Sequence, residues 1–290
     1  MRRSSWAAAA AVPLLLLVSA CGPQPGADAD PVADVGALDA DAVALRVDTT
    51  GGFVPAEAVP GRLPGVTVYG DGRVVTEGPV PAIYPGPALP NLVQAQISAD
   101  DVDLLVQKAL DAGVGASPDL GQPGVADATT TRLRVTTAEG TKETQVYALG
   151  MNDTDPALSG AQQAARKKLS DFVNALQDLS MTLGSAVDQQ PFPVTAIAAI
   201  ATPYAGEPSA GLPAPQPVAW PGPALPGDKL NAALDVGCVT ATGDAATAVV
   251  AAAGKANAST PWTSGEKQWS VRFRPLLPDE TDCADLAKQS

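Results

Sequence analysis

The sequence predicts an α+β fold: a mixed or antiparallel sheet packed with two main helices, followed by a small C-terminal α/β unit that carries Cys238 and Cys283 and is read as stapled by them. Three observations lead there. Several short stretches alternate apolar and polar residues with the period of a half-buried strand, as in Val43, Leu45 and Val47. Two longer stretches show helical spacing behind recognisable start signals. These elements fall in groups instead of in a regular strand-helix alternation, which separates α+β from doubly wound α/β chains.

Taken in order, a strand is expected at Val43–Asp48, followed by a hairpin over Val66–Val75, where Gly70 and Gly72 supply the positive-φ positions of a tight reversal. Ser98 and Asp101 form a Ser-x-x-Asp start signal, with Ile97 and Val102 placed to staple it. Val102, Leu105, Val106, Ala109 and Leu110 then make one apolar face that ends at Gly113. Strands follow at Thr131–Thr137 and Thr144–Leu149. Asp155-Pro156 reads as the start of a long helix over Ala157–Leu179, with Ala165, Leu169, Phe172, Val173 and Leu176 inward and Arg166, Lys167 and Lys168 in water.

The apolar run Val194–Ala201 reads as a strand covered on both faces and closes a main domain at 43–202. A proline- and glycine-rich linker or covering loop is expected over 203–230. Residues 231–290 make the small unit: a strand near Val236–Ala241, an alanine-rich helix over Asp244–Ala256, and a strand in which Trp269, Val271 and Phe273 oppose Ser270, Arg272 and Arg274.

The N-terminus carries an address. Arg2 and Arg3 precede an uncharged apolar run from Ala7 to Val18, the charged-then-apolar order of a secretory signal. At about twelve residues it is shorter than the roughly twenty a membrane-spanning helix needs. Val18-Ser19-Ala20-Cys21 resembles the lipobox of bacterial lipoproteins. That resemblance implies removal of residues 1–20, lipidation of Cys21, and a chain held at the extracytoplasmic face of the cell membrane. Residues 21–42, rich in Ala, Asp, Gly and Pro, then read as a flexible tether with a reach of about 25 Å.

With Cys21 lipidated, Cys238 and Cys283 remain as the even number an oxidising compartment favours. A bridge between them would add on the order of 4 kcal/mol through loop entropy. Two free thiols are the alternative.

Net charge is −13, and loss of Arg2 and Arg3 with the signal would make it −15. Such a surface argues against nucleic acid, whose phosphates need basic partners, and leaves membrane attachment to the lipid. Histidine is absent, which removes Ser-His-Asp and Cys-His catalysis and histidine-ligated metals. No cofactor is expected.

One segment recurs. Ile83-Tyr84-Pro85-Gly86-Pro87-Ala88-Leu89-Pro90 returns as Ala219-Trp220-Pro221-Gly222-Pro223-Ala224-Leu225-Pro226. Either one unit was duplicated and diverged, or chance produced the match in a chain of 28 prolines and 27 glycines. Tyr84 and Trp220 are the candidate partner-facing aromatics, but the reading preferred for each is that it folds back and pins its loop over the sheet, because aromatics carry large burial energies; an exposed aromatic-proline ridge would instead be a docking surface. Together with Trp269–Glu280, these copies resemble uncharacterised exported lipoproteins of high-GC Gram-positive bacteria, a resemblance that implies a compartment and no activity.

Candidate chemistry is sparse. Ser264-Gly265-Glu266-Lys267 matches Ser-x-x-Lys but precedes a strand and lacks the partner motifs of penicillin-binding enzymes, so a polar turn is expected. Acidic groups at Asp100, Asp101 and Asp103, at Asn152, Asp153 and Asp155, and at Asp279, Glu280, Asp282 and Asp285 do not follow a calcium loop and read as helix starts and solvated turns. The expected function is a non-catalytic envelope module that binds a protein or cell-wall component. A transporter's solute-binding lipoprotein is the alternative, and a histidine-independent hydrolase ranks below both.

Overall fold

The computed structural model describes residues 36, 38–206, 214–231 and 235–288, all within one compact unit. The expected signal, Cys21 and most of the tether lie outside them. The fold is α+β, built on two sheets. Among the described residues no helix is long and apolar enough to cross a membrane.

The first half of the chain gives β1 (Val43–Gly51), a 3-10 turn at Ala56–Gly61, β2 (Val66–Tyr69), β3 (Arg73–Glu77), β4 (Leu92–Gln96), α1 (Ala99–Ala112), β5 (Thr129–Thr137), β6 (Gly140–Tyr147), α2 (Gly160–Ala175), α3 (Leu179–Leu183) and β7 (Gln189–Pro191). Its strands make an antiparallel sheet in the order β6-β5-β1-β2-β3-β4-β7. The second half gives β8 (Ala196–Pro203), β9 (Val218–Ala219), β10 (Asp228–Asn231), β11 (Val236–Thr242), α4 (Gly243–Ala253), β12 (Trp262–Ser264), β13 (Lys267–Pro275) and α5 (Cys283–Ala287). These strands form a mixed sheet in the order β10-β11-β8-β13-β12-β9, in which only β9 and β12 are parallel.

Local signals set most of these elements. The Ser98 hydroxyl accepts from the Asp101 N–H, and the Asp101 carboxylate accepts from the Ser98 N–H, a complete capping box. Gly113, in the left-handed region at φ 107°, ends α1. Leu105, Val106 and Ala109 of α1 join Leu169, Phe172 and Leu176 and one face of β1, β2 and β5 in the largest core.

The second α-helical stretch departs from expectation. Asp155 does not start it, because its carboxylate is occupied by the N–H groups of Gly124 and Ala157 and by Asn152. Ser159 caps α2 instead, in a second capping box with Gln162. The helix stops at Leu176, and Asp178 caps the short α3 by accepting from the Met181 N–H. Arg166, expected in water, is fully buried. Its guanidinium donates to the carbonyls of Leu120, Tyr147 and Ala148 and to Asp153 at 2.8 Å, tying α2 to the end of β6.

Strand β8, grouped by sequence with residues 43–202, is the centre of the second sheet. Its near-continuous apolar run serves two layers, as expected of a strand covered on both sides. Ile197, Ala199 and Ala201 face the core under α4 with Trp262, Trp269 and Phe273. Ala198 and Ile200 face Val236, Cys238, Leu276 and Leu286. On that second face the disulfide Cys238–Cys283 joins α5 to β11.

Two boundaries also differ. Leu38, placed in the tether, packs against the first core, and Asp41 pairs with Arg73. Gly70 is required there, since a Cβ would meet the Leu38 Cβ at 2.7 Å. Within 203–230 the described residues include edge strands β9 and β10. The two Pro-Gly-Pro-Ala-Leu-Pro segments do not head equivalent sheets. In the first sheet the leading strand of the following hairpin, β5, lies inward, whereas in the second the trailing strand, β13, does.

Candidate functional site

The back of the first sheet carries Arg46, Thr67 and Tyr69, and the C-terminal turn after β13 packs onto it through Leu277. Arg46 donates to Asp279 at 2.7 Å, and the Tyr69 hydroxyl donates to the same oxygen at 2.8 Å. Burial alone would lower the Arg46 pKa, but the bond to Asp279 and its charge more than offset this and the net shift is upward. Burial, reinforced by the Asp279 charge, moves the Tyr69 phenol well above its usual range, so it stays a donor. Next in sequence, Glu280 accepts from Arg274 at 2.7 Å and from the Leu277 N–H at 2.8 Å, and Arg274 also donates to the Arg62 and Pro275 carbonyls. Asp279 and Glu280, read as part of a solvated turn, are instead the clasp between the two sheets.

Beside this clasp runs a groove of about 380 Å³. Its floor is one face of β8 and β13, where the register sets Ser270 opposite Thr202 and Arg272 opposite Ile200. The 3-10 turn supplies one side with Glu57 and Gly61, and Glu77, Val80 and Pro87–Pro90 supply another. A Cβ on Gly61 would overlap the Arg272 Cδ, so the glycine lets the arginine stem lie across the turn. The Glu77 carboxyl is raised above its ordinary range by desolvation, opposed by the positive charge of Arg274.

The first Pro-Gly-Pro-Ala-Leu-Pro copy bridges the halves. Gly86 accepts from the Ala258 N–H at 2.9 Å, Pro87 forms a bridge with Asn257, and Ala88 and Leu89 pack on the second sheet's core. The residues before it turn outward: Val80 and Ile83 are each 63% exposed and Tyr84 is 71% exposed.

The two candidate aromatics therefore part company. Trp220 lies edge-on to Trp262 at 5.6 Å, stacks on Phe273 at 6.1 Å, and donates its indole N–H to the Pro223 carbonyl. It pins its own loop, and Tyr84 alone faces outward. Cys238 and Cys283 are joined, and Cys21 lies outside the described residues. Ser264 and Lys267 close the β12–β13 hairpin, with the Ser264 hydroxyl accepting from the Leu225 N–H.

Sequence reasoning missed the groove residues Glu57, Glu77, Val80 and Arg272. The alternation along β13 did set Arg272 opposite Phe273, but the partner surface across it comes from residues some two hundred positions earlier in the chain. Among the described residues no three His, Cys, Asp or Glu side chains gather as a metal site. No family model, curated protein or solved structure matches this chain.

Proposed function

We propose that the protein is a lipid-anchored extracytoplasmic module that binds a component of the cell envelope at the groove and the adjoining Val80–Tyr84 ridge, without catalysing a reaction. The observation that carries this reading is the ridge. Three large apolar side chains, Val80, Ile83 and Tyr84, stand in solvent on a segment whose next residues are fastened down on the second core. Exposed apolar groups gathered beside a groove are a common mark of an interaction surface. The lipobox-like Val18–Cys21 supports the anchor, and the Cys238–Cys283 bridge is in keeping with an oxidising compartment.

The test has two arms. Photo-crosslinking from position 80 of the mature protein, exposed on the same ridge, should trap one dominant partner in envelope preparations. Tyr84→Ala with Ile83→Ser should reduce that capture about tenfold at unchanged melting temperature, a loss typical of removing interface anchors. Undiminished capture would refute the ridge as the binding surface, and a captured transport permease would favour the solute-binding alternative. Cys21→Ser should release the protein from membranes, and retention would refute the anchor.

A further inference from the structure

Seven of the eight described arginines have a fixed partner. Arg46, Arg73, Arg132, Arg134, Arg166 and Arg274 pair with carboxylates, and Arg62 donates to the carbonyls of Thr49 and Gly51. Among the described residues Arg272 has neither an ion pair nor a hydrogen bond, although the chain carries net charge −13 and two carboxylates, Glu57 and Glu77, line the same groove. Its stem is seated by Gly61; across the strands it stands opposite Ile200, and two residues earlier on the same floor Ser270 stands opposite Thr202. An uncompensated guanidinium in a groove whose floor also carries the Ser270 and Thr202 hydroxyls suits a carboxylate, which it can grip through two parallel hydrogen bonds. Glu57 and Glu77 suit a cation in the same ligand, and Leu89 and Val80 offer apolar surface to an aliphatic stem.

Building on the proposed binding role, we infer that the groove takes the free C-terminus of a partner polypeptide that ends in a basic residue. The terminal carboxylate docks on Arg272 and the basic side chain lies along Val80 and Leu89 toward Glu77 and Glu57. The opposed charges set the polarity of the tail. An internal basic segment lacks the carboxylate, and an acidic terminus meets like charge at the rim.

The test is a titration of the mature protein, followed by calorimetry, with a five-residue probe, Ala-Pro-Ala-Leu-Lys, as the free acid, as the C-terminal amide, and with norleucine in place of the lysine. The free acid should bind, and the amide and norleucine forms should each bind about tenfold more weakly. With Arg272→Gln, acid and amide should bind equally. With Glu77→Gln, the gap between lysine and norleucine should shrink by at least half.

Arg272 is exposed, so circular dichroism and melting should be unchanged in Arg272→Gln, which separates lost binding from lost folding. Equal binding of acid and amide by the parent protein, an acid–amide gap that survives Arg272→Gln, or no binding of the free acid would each overturn the inference. If the probe fails while the Tyr84 and Ile83 variants still lose their envelope partner, the C-terminus is wrong and the binding role stands. If those variants keep the partner, the role itself falls.

Discussion

The Arg274 guanidinium and the Glu280 carboxylate meet at 2.7 Å with 0% and 1% of their side chains exposed. Two charges taken out of water gain little net stability as a pair, but either one left alone is costly. Burial already lowers the Arg274 pKa, and Glu280 is the chief group opposing that shift. Glu280→Ala should therefore destabilise the protein by about 3–5 kcal/mol. Replacing both partners, Arg274→Met with Glu280→Leu, should cost clearly less than the single change. Urea denaturation of the three proteins checks this, and a double variant weaker than Glu280→Ala would refute the pairing account.

The bridge between Cys238 and Cys283 closes a loop with a sequence separation of 45. It ties α5 to β11 just beyond the clasp residues Asp279 and Glu280. Cys238→Ala with Cys283→Ala should lower stability by about 2–4 kcal/mol, chiefly by freeing the unfolded chain. The lost bridge should also loosen the clasp, so amide exchange at Leu277 and Glu280 should speed up by more than at Leu105 in α1, whose local opening does not involve the bridge. Uniform acceleration would argue against a coupling between bridge and clasp.

Arg166 and its neighbours give a sharper contrast along one helix. Arg166→Met removes the guanidinium's bonds to the carbonyls of Leu120, Tyr147 and Ala148 and leaves Asp153 with the Gly150 N–H but without its cation, at a cost of about 2–4 kcal/mol. Lys168→Ala, at an exposed position, should change stability by less than about 0.5 kcal/mol. Thermal melts of the two variants measure the difference.

These cases show where sequence reading succeeds and where it stops. The start and stop of α1 lie within Ser98, Asp101 and Gly113, which are local partners, and the two-faced run of β8 is visible in its composition. Both were legible. Arg166 stands three residues before Leu169 on the buried stripe of α2, which Lys167 and Lys168 do not, so its phase was legible; the carbonyls at the end of β6 that let a charge be buried there were not. Arg274 and Arg46 likewise depend on a turn that reaches them from Asp279 and Glu280, 233 positions from Arg46 in the case of Asp279. The same distance in sequence hid the groove, whose floor is β13 and whose sides come from the first third of the chain.

Acid should weaken the fold in a way that one variant can isolate. The Asp155 carboxylate is held below its ordinary range by the N–H of Ala157 first, then the N–H of Gly124, with Asn152 adding to both. The Asp285 carboxylate is held low by the Thr281 N–H and by Lys288. Because each folded value lies below the unfolded one, the unfolded chain takes up the proton first as pH falls. The stabilisation is complete above the unfolded value of about 4 and is lost as pH drops through the folded value. The melting temperature should thus fall progressively below about pH 4. Asp155→Asn should melt lower than the parent at pH 7 and fall less steeply on acidification, so that the gap closes as the pH drops through the parent's lowered folded value. Parallel melting curves for the two proteins across that range would show that the Asp155 charge contributes nothing to the fold.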